Sequence, residues 1–209
     1  FLIEGPAVVS FSGGRTSGYM LRRILDAHGG TLPNDVHVLF ANTGDEHEGT
    51  LNFVRECGER WGVRVRWIEH HILRVWRPNP SQGPRWLAAV GRGKVDTRPL
   101  VPMLTQTFRE VSYDTASRRG EPFDALIDSR HYLPNPVARF CTDDLKSKPI
   151  AMFMAAQGYT RWALTMGLRA DEPRRLAKMK ARMDAGEDIA LPLAEGQIAR
   201  EDVLRFWQS

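Results

Sequence analysis

Cysteine is scarce in this chain, with Cys57 and Cys141 the only two in 209 residues. Two thiols exclude a disulfide framework and suit a reducing, cytoplasmic setting. An iron–sulfur cluster needs about four thiolates, so any cluster would need cysteines from outside this chain. Lysine is nearly as rare, 5 residues against 24 arginines. Arginine suits bidentate recognition of phosphate or sulfate, although a biased base composition gives the same excess. No apolar run approaches the roughly 20 residues that span a bilayer, and no signal peptide is visible, so no membrane partner is expected. The chain begins at Phe1 rather than Met and stops abruptly at Ser209, which suggests missing residues, at the C-terminus above all. Also absent are a Gly-Lys-Ser/Thr ending of the Walker type and the Gly-x-Gly-x-x-Gly spacing of dinucleotide folds.

What remains is ordinary for a globular chain: 42% hydrophobic, 26% charged and a net charge of +4. Residues 1–209 suit one domain with a proper core, and no linker, repeat or low-complexity segment divides them. The mild positive charge allows a nucleic-acid surface without requiring one.

The informative stretch is Ala7-Val8-Val9-Ser10-Phe11-Ser12-Gly13-Gly14-Arg15-Thr16-Ser17. A short apolar run breaks into a Ser/Gly turn that opens directly into a helical pattern. Glycines let the backbone turn tightly and approach a ligand closely. The first amides of a helix have no internal partner and favour an anion, above all phosphate. Ser12, Thr16 and Ser17 add hydroxyl donors and Arg15 a charge. This reads as a nucleotide-phosphate loop; the bland alternative is a strand-to-helix turn that happens to be rich in Ser and Gly.

Along the chain, helices are predicted over Ser17 to Ala27 and Thr50 to Trp61, and strands over Val36 to Ala41 and Val63 to Ile68. Residues 72–122 loosen into an irregular insertion, either a lid or a decorated loop, with Trp76 and Trp86 among arginines. Pro78, Pro80, Gly83, Pro84, Gly91 and Gly93 punctuate it. Leu100 to Arg119 is predicted to hold one helix, with Pro102 in its first turn. Asp124 to Asp128 reads as a short strand, Asp143 to Gln157 as a helix, or as one that starts only at Pro149 inside that segment, and Arg161 to Met166 as a strand. Lys178 to Asp184 is polar helix or loop, and Glu195 to Gln208 a closing helix. The β-α-β order points to an α/β fold: one doubly wound domain of about five mostly parallel strands flanked by helices.

Ligands of such sheets bind at the carboxyl ends of the strands. Polar clusters at Ser12 to Ser17, Asn42 to Asp45 and Gly167 to Glu172 all fall at such ends, so they are expected to converge. Cys141, flanked by Arg139, Lys146 and Lys148, is a candidate nucleophile or metal ligand, or else a small residue packed near a helix start. Cys57 reads as structural. His70 and His71 face opposite ways on a strand and do not make a joint metal site. His47 and Glu48 beside Asp45 and Glu46 read as a solvated loop rather than a cation site, and Lys178 to Arg182 as a solvated basic face.

The loop resembles the Ser-Gly-Gly-x-Asp-Ser loop of the N-type ATP pyrophosphatases and their relatives, the PAPS (phosphoadenosine phosphosulfate) reductase family. Asn42-Thr43-Gly44-Asp45 is similar to that family's Asp-Thr-Gly motif, which meets adenosine. Arg139 to Pro149 is similar to its Cys-then-Lys-then-Pro segment, and Gly167-Leu168-Arg169-Ala170-Asp171-Glu172 to its Gly-x-Arg-x-x-Glu segment at the phosphate or sulfate end. The resemblance runs from about Val8 to Arg175. It implies nucleotide contacts from Ser10, Ser12, Gly13, Gly14, Arg15, Thr16, Ser17, Asn42, Thr43, Gly44, Asp45, Lys146, Gly167 and Arg169, with Arg15, Cys141 and Arg169 in catalytic roles. ATP or PAPS is the expected nucleotide, with Mg²⁺ held through its phosphates.

Departures bear on the reaction. Thr16 stands where the loop aspartate is usual, and nothing after Cys141 supplies the C-terminal catalytic cysteine of PAPS reductases. The resulting expectation is attack by an acceptor oxygen on the α-phosphorus of ATP, with sulfur transfer from a donor protein by family analogy. Three alternatives stay open: thiol-dependent reduction of PAPS, a nucleotide sensor or assembly subunit without turnover, and a nucleic-acid-modifying component whose basic insertion docks DNA or RNA. Self-association into a homo-oligomer is expected.

Overall fold

Valines and alanine on both sides of a short extended run demand apolar cover on both sides. In a computed structural model of the chain, which describes residues 1–82, 86–89, 93–135 and 140–208, that cover is built from helices in two layers. Strand β1 (Ala7–Ser10) turns Ala7 and Val9 toward one cluster and Val8 toward the other. Strand β2 (Val36–Asn42) repeats the pattern, with Val36, Val38 and Phe40 on the first side and Leu39 on the second. On the first side lie α1 (Arg15–Ala27), through Met20, Leu21, Ile24 and Leu25, and α2 (Glu48–Trp61), through Leu51 and Val54. Full burial of side chains of this size stabilises by about 1.5–3 kcal/mol each.

The remaining elements follow in chain order. Strand β3 (Val65–Pro78) is followed by a small hairpin, β4 (Trp86–Ala89) and β5 (Gly93–Asp96), and then by β6 (Leu100–Val111). Next come α3 (Glu121–Arg130), α4 (Phe140–Thr142) running through a π-turn at Asp143–Ser147, and α5 (Lys148–Ala156). The chain closes with β7 (Ala163–Thr165), α6 (Pro173–Asp184), β8 (Ile189–Ala190), α7 (Pro192–Glu195) and α8 (Arg200–Gln208). Helix α5 covers the second sheet face with Ile150, Phe153 and Met154.

The main sheet runs β6-β3-β2-β1-β7-β8. Five strands are parallel and β6 alone is antiparallel, at the edge beside β3. The α/β class and the mostly parallel sheet are as expected from sequence. The order climbs outward from β1 through β2 to β3, then returns to the other flank of β1 with β7. The direction of winding therefore reverses between β1 and β7.

Several expected elements are corrected. Leu100 to Arg119 is not a helix: its first 12 residues are β6, paired one for one with β3. Its Val, Thr and Phe content favours a strand, and Pro102 is tolerated because β6 is an edge. Asp124 to Asp128 lies inside α3 and is no strand. Gly120 opens that helix, Pro122 sits in its first turn, and Glu121 and Asp124 complement its dipole. The closing helix starts later than expected: Glu195 ends α7, Gly196 and Gln197 follow it with Gln197 at φ 56°, and α8 begins only at Arg200. The helix around Pro149 begins earlier than expected. A proline inside a helix orphans a carbonyl one turn back, and the wide π-turn before it absorbs the fault, with the Lys148 amide donating to the Asp143 carbonyl. The expected breaks at Gly83, Pro84 and Gly91, and Arg139, lie outside the described residues, as does the Trp86 side chain.

A buried polar network ties β2, β3 and β6 to the segment that follows them. Glu69 is fully buried. It accepts from Asn42 Nδ2 at 2.7 Å, the Ser117 amide at 2.7 Å, Ser117 Oγ at 3.0 Å and Arg109 at 2.7 Å and 3.0 Å. Asn42 also donates to the Ser117 carbonyl at 2.9 Å. Removing Glu69 leaves the buried Asn42 and Ser117 donors short of a partner, about 2–4 kcal/mol in all at roughly 1–3 kcal/mol for each orphaned group, while Arg109, 44% exposed, returns to water. Glu69→Ala is therefore expected to lower unfolding stability by about that amount in urea titration; a loss under about 1 kcal/mol would show that water replaces the carboxylate freely.

Candidate functional site

Helix α1 starts without a cap. Its N-cap residue is Gly14, which has no side chain to offer, and its first turn holds no carboxylate. The first bond of its ladder is Gly18 N–H to the Gly14 carbonyl at 2.9 Å, so the amides of Arg15, Thr16 and Ser17 precede it. Thirteen residues of aligned dipole end at that point, which favours an anion there. The hydroxyls are already ordered: Ser17 Oγ donates to the Gly14 carbonyl at 2.9 Å and lies 3.0 Å from Ser12 Oγ.

The two loop glycines do different work. Gly13 is buried at φ 72°, and a Cβ there would stand 2.5 Å from Thr50 Cγ2 and 2.9 Å from Val54 Cγ2. It turns the chain and seats the loop on α2. Gly14 is exposed and extended, and a Cβ there would meet nothing closer than Ser12 Oγ at 3.8 Å.

The loop faces the residues that follow β7. A cavity of about 290 Å³ is lined by Ser10, Ser12, Gly14 to Ser17 and, opposite, Met166 to Arg169 with Glu172 and Arg175. A Cβ on Gly167 would come within 3.3 Å of the Ser17 backbone, so the two segments touch. Arg169 donates to Thr16 Oγ1 at 3.3 Å and to Asp171 at 2.8 Å, and lies 3.6 Å from Glu172. Burial raises the Glu172 pKa, but the Arg169 amide and the Arg175 guanidinium outweigh it and hold the carboxyl below its usual value. Arg15 is exposed, and among the described residues no carboxylate pairs with it.

On the loop's other side, a groove of about 700 Å³ lies between Gly13 to Arg15, the start of α2 and the C-terminal helix α8. Trp207 Nε1 donates to the Arg15 carbonyl at 3.0 Å. Sequence reasoning missed this buttress, because nothing local in Arg200–Gln208 points 192 residues back along the chain.

The end of β2 builds a second cavity, about 260 Å³, lined by Thr43, Asp45, Glu46, Phe123, Cys141, Thr142, Leu145 and Lys146. Thr43 donates to Glu46 at 3.1 Å and Lys146 lies 3.7 Å from Glu46. Gly44 holds φ 85°, and a Cβ there would strike Pro122 at 2.5 Å. Asn42, expected at the nucleotide, is instead fully buried in the Glu69 network; its Oδ1 accepts from the Gly44 amide at 3.2 Å and so shapes the turn rather than lining the cavity. The acidic run disperses: His47 caps α2 through Nδ1, and Glu48 pairs with Tyr113 and Arg118. The hydrogen bond from Tyr113 and then that from Arg118 lower the Glu48 pKa.

Cys141 is half-exposed and reaches the second cavity, but Lys148, expected to favour its thiolate, turns to Asp144 and Asp143. Cys57 is buried, its thiol pushed up to about 12 chiefly by burial. His70 is buried, and among the described residues neither ring nitrogen has a hydrogen-bond partner; burial lowers its pKa. His71 is half-exposed. Among the described residues, no group of three or more His, Cys, Asp or Glu side chains is gathered for a metal, and no helix is long and apolar enough to cross a membrane.

No family model matches the chain. It is similar to the uncharacterized nin region protein ORF290 of Escherichia phage lambda, 31% identical over 205 residues, covering 96% of this chain. The chain spans 58% of that protein's length.

The glycine pair provides a direct check. Gly13→Ala is expected to cost about 2–3 kcal/mol from positive φ and overpacking, while Gly14→Ala stays within about 0.5 kcal/mol. Equal losses in urea titration would contradict the division of labour. Asp144 offers a second check. It is fully buried against Arg130 at 2.5 Å and against Lys148. Burial raises its pKa, but these two bonds outweigh it and hold the carboxyl below its ordinary 3.8. Its contribution is thus complete above pH 3.8 and lost as pH falls through the lower folded value. Asp144→Asn is expected to lose about 2 kcal/mol near neutrality and to flatten the acid limb of stability against pH; an unchanged acid limb would contradict the assignment.

Proposed function

We propose that this chain is an adenine-nucleotide enzyme of the kind found among PAPS reductases and N-type ATP pyrophosphatases, acting at the α-phosphate of ATP. One observation supports this reading above the rest. An uncapped helix N-terminus sits where the strand order reverses, and it faces Gly167 and Arg169 across a cavity of about 290 Å³. Open α/β sheets take ligands at such switch points, and this one offers amides, hydroxyls and guanidinium groups.

In this reading the amides of Arg15, Thr16 and Ser17, with the Ser12 and Ser17 hydroxyls, receive phosphate oxygens. Arg15 and Arg169 offset charge that develops as the bond between the α-phosphorus and the bridging oxygen breaks. The electron pair leaves with pyrophosphate, and the acceptor oxygen takes its place on phosphorus. Adenosine lies toward the Thr43-Gly44 turn, as the resemblance implies. Magnesium, when present, neutralises phosphate charge, and it would be carried by the phosphates and water, since among the described residues no group of acids is gathered around it. Transfer of sulfur from a donor protein onto the activated acceptor follows only from family analogy.

A second reading, thiol-dependent reduction of PAPS, is favoured by the half-exposed Cys141 in the cavity that Thr43 and Lys146 line. There the Cys141 thiolate would attack the sulfonate sulfur, breaking its bond to the phosphate oxygen so that the nucleotide leaves; the added thiol would then attack Cys141 Sγ, releasing sulfite and forming a disulfide. A non-catalytic sensor would use the same loop without turnover.

Product identification after incubation with ATP and Mg²⁺, or with PAPS and a thiol, separates these. Pyrophosphate release from ATP is expected, unaffected by Cys141→Ser. Arg15→Ala and Arg169→Ala are each expected to weaken ATP binding about 10-fold or more, the loss of one charge-assisted hydrogen bond. Sulfite from PAPS that depends on Cys141 selects the second reading, saturable ATP binding without product selects the sensor, and no binding of either nucleotide overturns all three.

A further inference from the structure

Positive charge is concentrated in one segment of the chain. Between Ile72 and Gln106 the sequence holds Arg74, Arg77, Arg85, Arg92, Lys94 and Arg98 against a single acid, Asp96. That is a net +5, while the whole chain carries +4, so the rest of the molecule sums to −1. The pI near 9.3 is therefore a property of this segment and not of the sheet that carries the phosphate loop.

The ends of β3 and β6 form this segment's base, a two-stranded antiparallel ribbon in register from Ile72↔Gln106 to Pro78↔Leu100. Residues directly opposite share a face, so Arg74, Trp76, Pro102 and Leu104 lie on one side. Trp76 is 64% exposed and Leu104 57%. Arg77 is directed to the opposite face, also exposed. Among the described residues no carboxylate pairs with Arg74 or Arg77, whereas Arg98 is matched to Asp96 at 2.6 Å. A lone two-stranded ribbon is marginal in water, and an exposed Trp and Leu between unpaired arginines point to a partner that is anionic and has apolar edges.

We infer that the β3–β6 ribbon docks in the major groove of duplex DNA. Seven residue pairs extend for about 20–25 Å, and the B-form major groove, about 12 Å wide, admits a two-stranded ribbon. The major groove of A-form RNA is too deep and narrow for side chains to read. Trp76 and Leu104 supply apolar contact with base edges; Arg74, on their face, and Arg77, on the face turned to the groove mouth, contact phosphates along the groove walls. The inference is independent of the nucleotide reading, since it uses no residue of the phosphate loop.

The test is fluorescence anisotropy of the full chain with a labelled 20-base-pair duplex across about 50–200 mM salt, beside single-stranded DNA and duplex RNA of the same sequence. Duplex DNA is expected to bind tightest, with affinity falling as salt rises. Arg74→Ala combined with Arg77→Ala is expected to weaken binding at least 10-fold and to reduce the log–log salt slope by about 2, close to one unit per lost phosphate contact. Trp76→Ala is expected to weaken binding without changing the slope, and Lys178→Ala with Lys180→Ala to change neither. ATP binding is expected to be unaltered in all of them. Absence of duplex binding, a double variant that binds like the parent, or tighter binding of single strands or RNA would each overturn the inference. Should the double variant fail to fold, Trp76→Ala carries the test.

Discussion

A parallel sheet covered by helices on both faces can present a ligand only at its strand ends, and the site depends on that constraint. The faces are closed here by apolar clusters that include Val9, Met20 and Leu51 on one side and Val8, Leu39 and Phe153 on the other. What is left open is the rim, and the rim has one natural crevice. Strands β2 and β7 lie on opposite flanks of β1, so the strand order reverses there and leaves a crevice at the strand ends. The Ser12 to Ser17 loop and the Gly167 to Glu172 segment meet in that crevice. The candidate site is their convergence, an uncapped helix end against an arginine-bearing turn.

Charge in the crevice is balanced rather than merely positive. Glu172 and Asp171 hold Arg169 toward Thr16, while Arg15 stands free of carboxylates among the described residues. An entering phosphate would meet donors that are already oriented, which limits the ordering cost of binding. The neighbouring wall is stiffened by two buried ionic groups. Glu69 locks Asn42, Arg109 and Ser117 together, and Asp144 joins α3 to the π-turn through Arg130 and Lys148. Both groups flank the turn that carries Thr43 and the helix that carries Cys141. The basic ribbon lies apart from this machinery, with its own charge and its own exposed aromatic.

Elements with a complete local signal were legible in the sequence. Valine-rich runs bounded by turns marked β1 and β2, and the periodic apolar faces of α1 and α2 marked those helices within one or two residues. Leu100 to Val111 misled because its apolar spacing fits a helix as well as an edge strand; pairing with β3, a contact between residues up to 44 apart, decided it. Asp124 to Asp128 misled for the opposite reason: five residues are too few to show a period, and the deciding signals, Gly120 and Pro122, lie before them. In the site, the loop hydroxyls, Gly167 and Arg169 were readable as polar residues at strand ends. Asn42 was readable as polar but not as buried, and Trp207 gave no signal at all.

The sequence by itself determined an α/β sheet, a Ser/Gly-rich turn that opens into a helix, and polar residues gathered after each apolar run. These follow from short-range sterics and periodicity, which act within a few residues. Tertiary structure alone decided that Gly13 packs on α2 while Gly14 faces outward, that Asn42 turns inward to Glu69, and that α8 returns to brace the loop. Those outcomes rest on contacts between distant segments, where the space beside a residue and the partner for its hydrogen bonds exist only once the chain has closed around it.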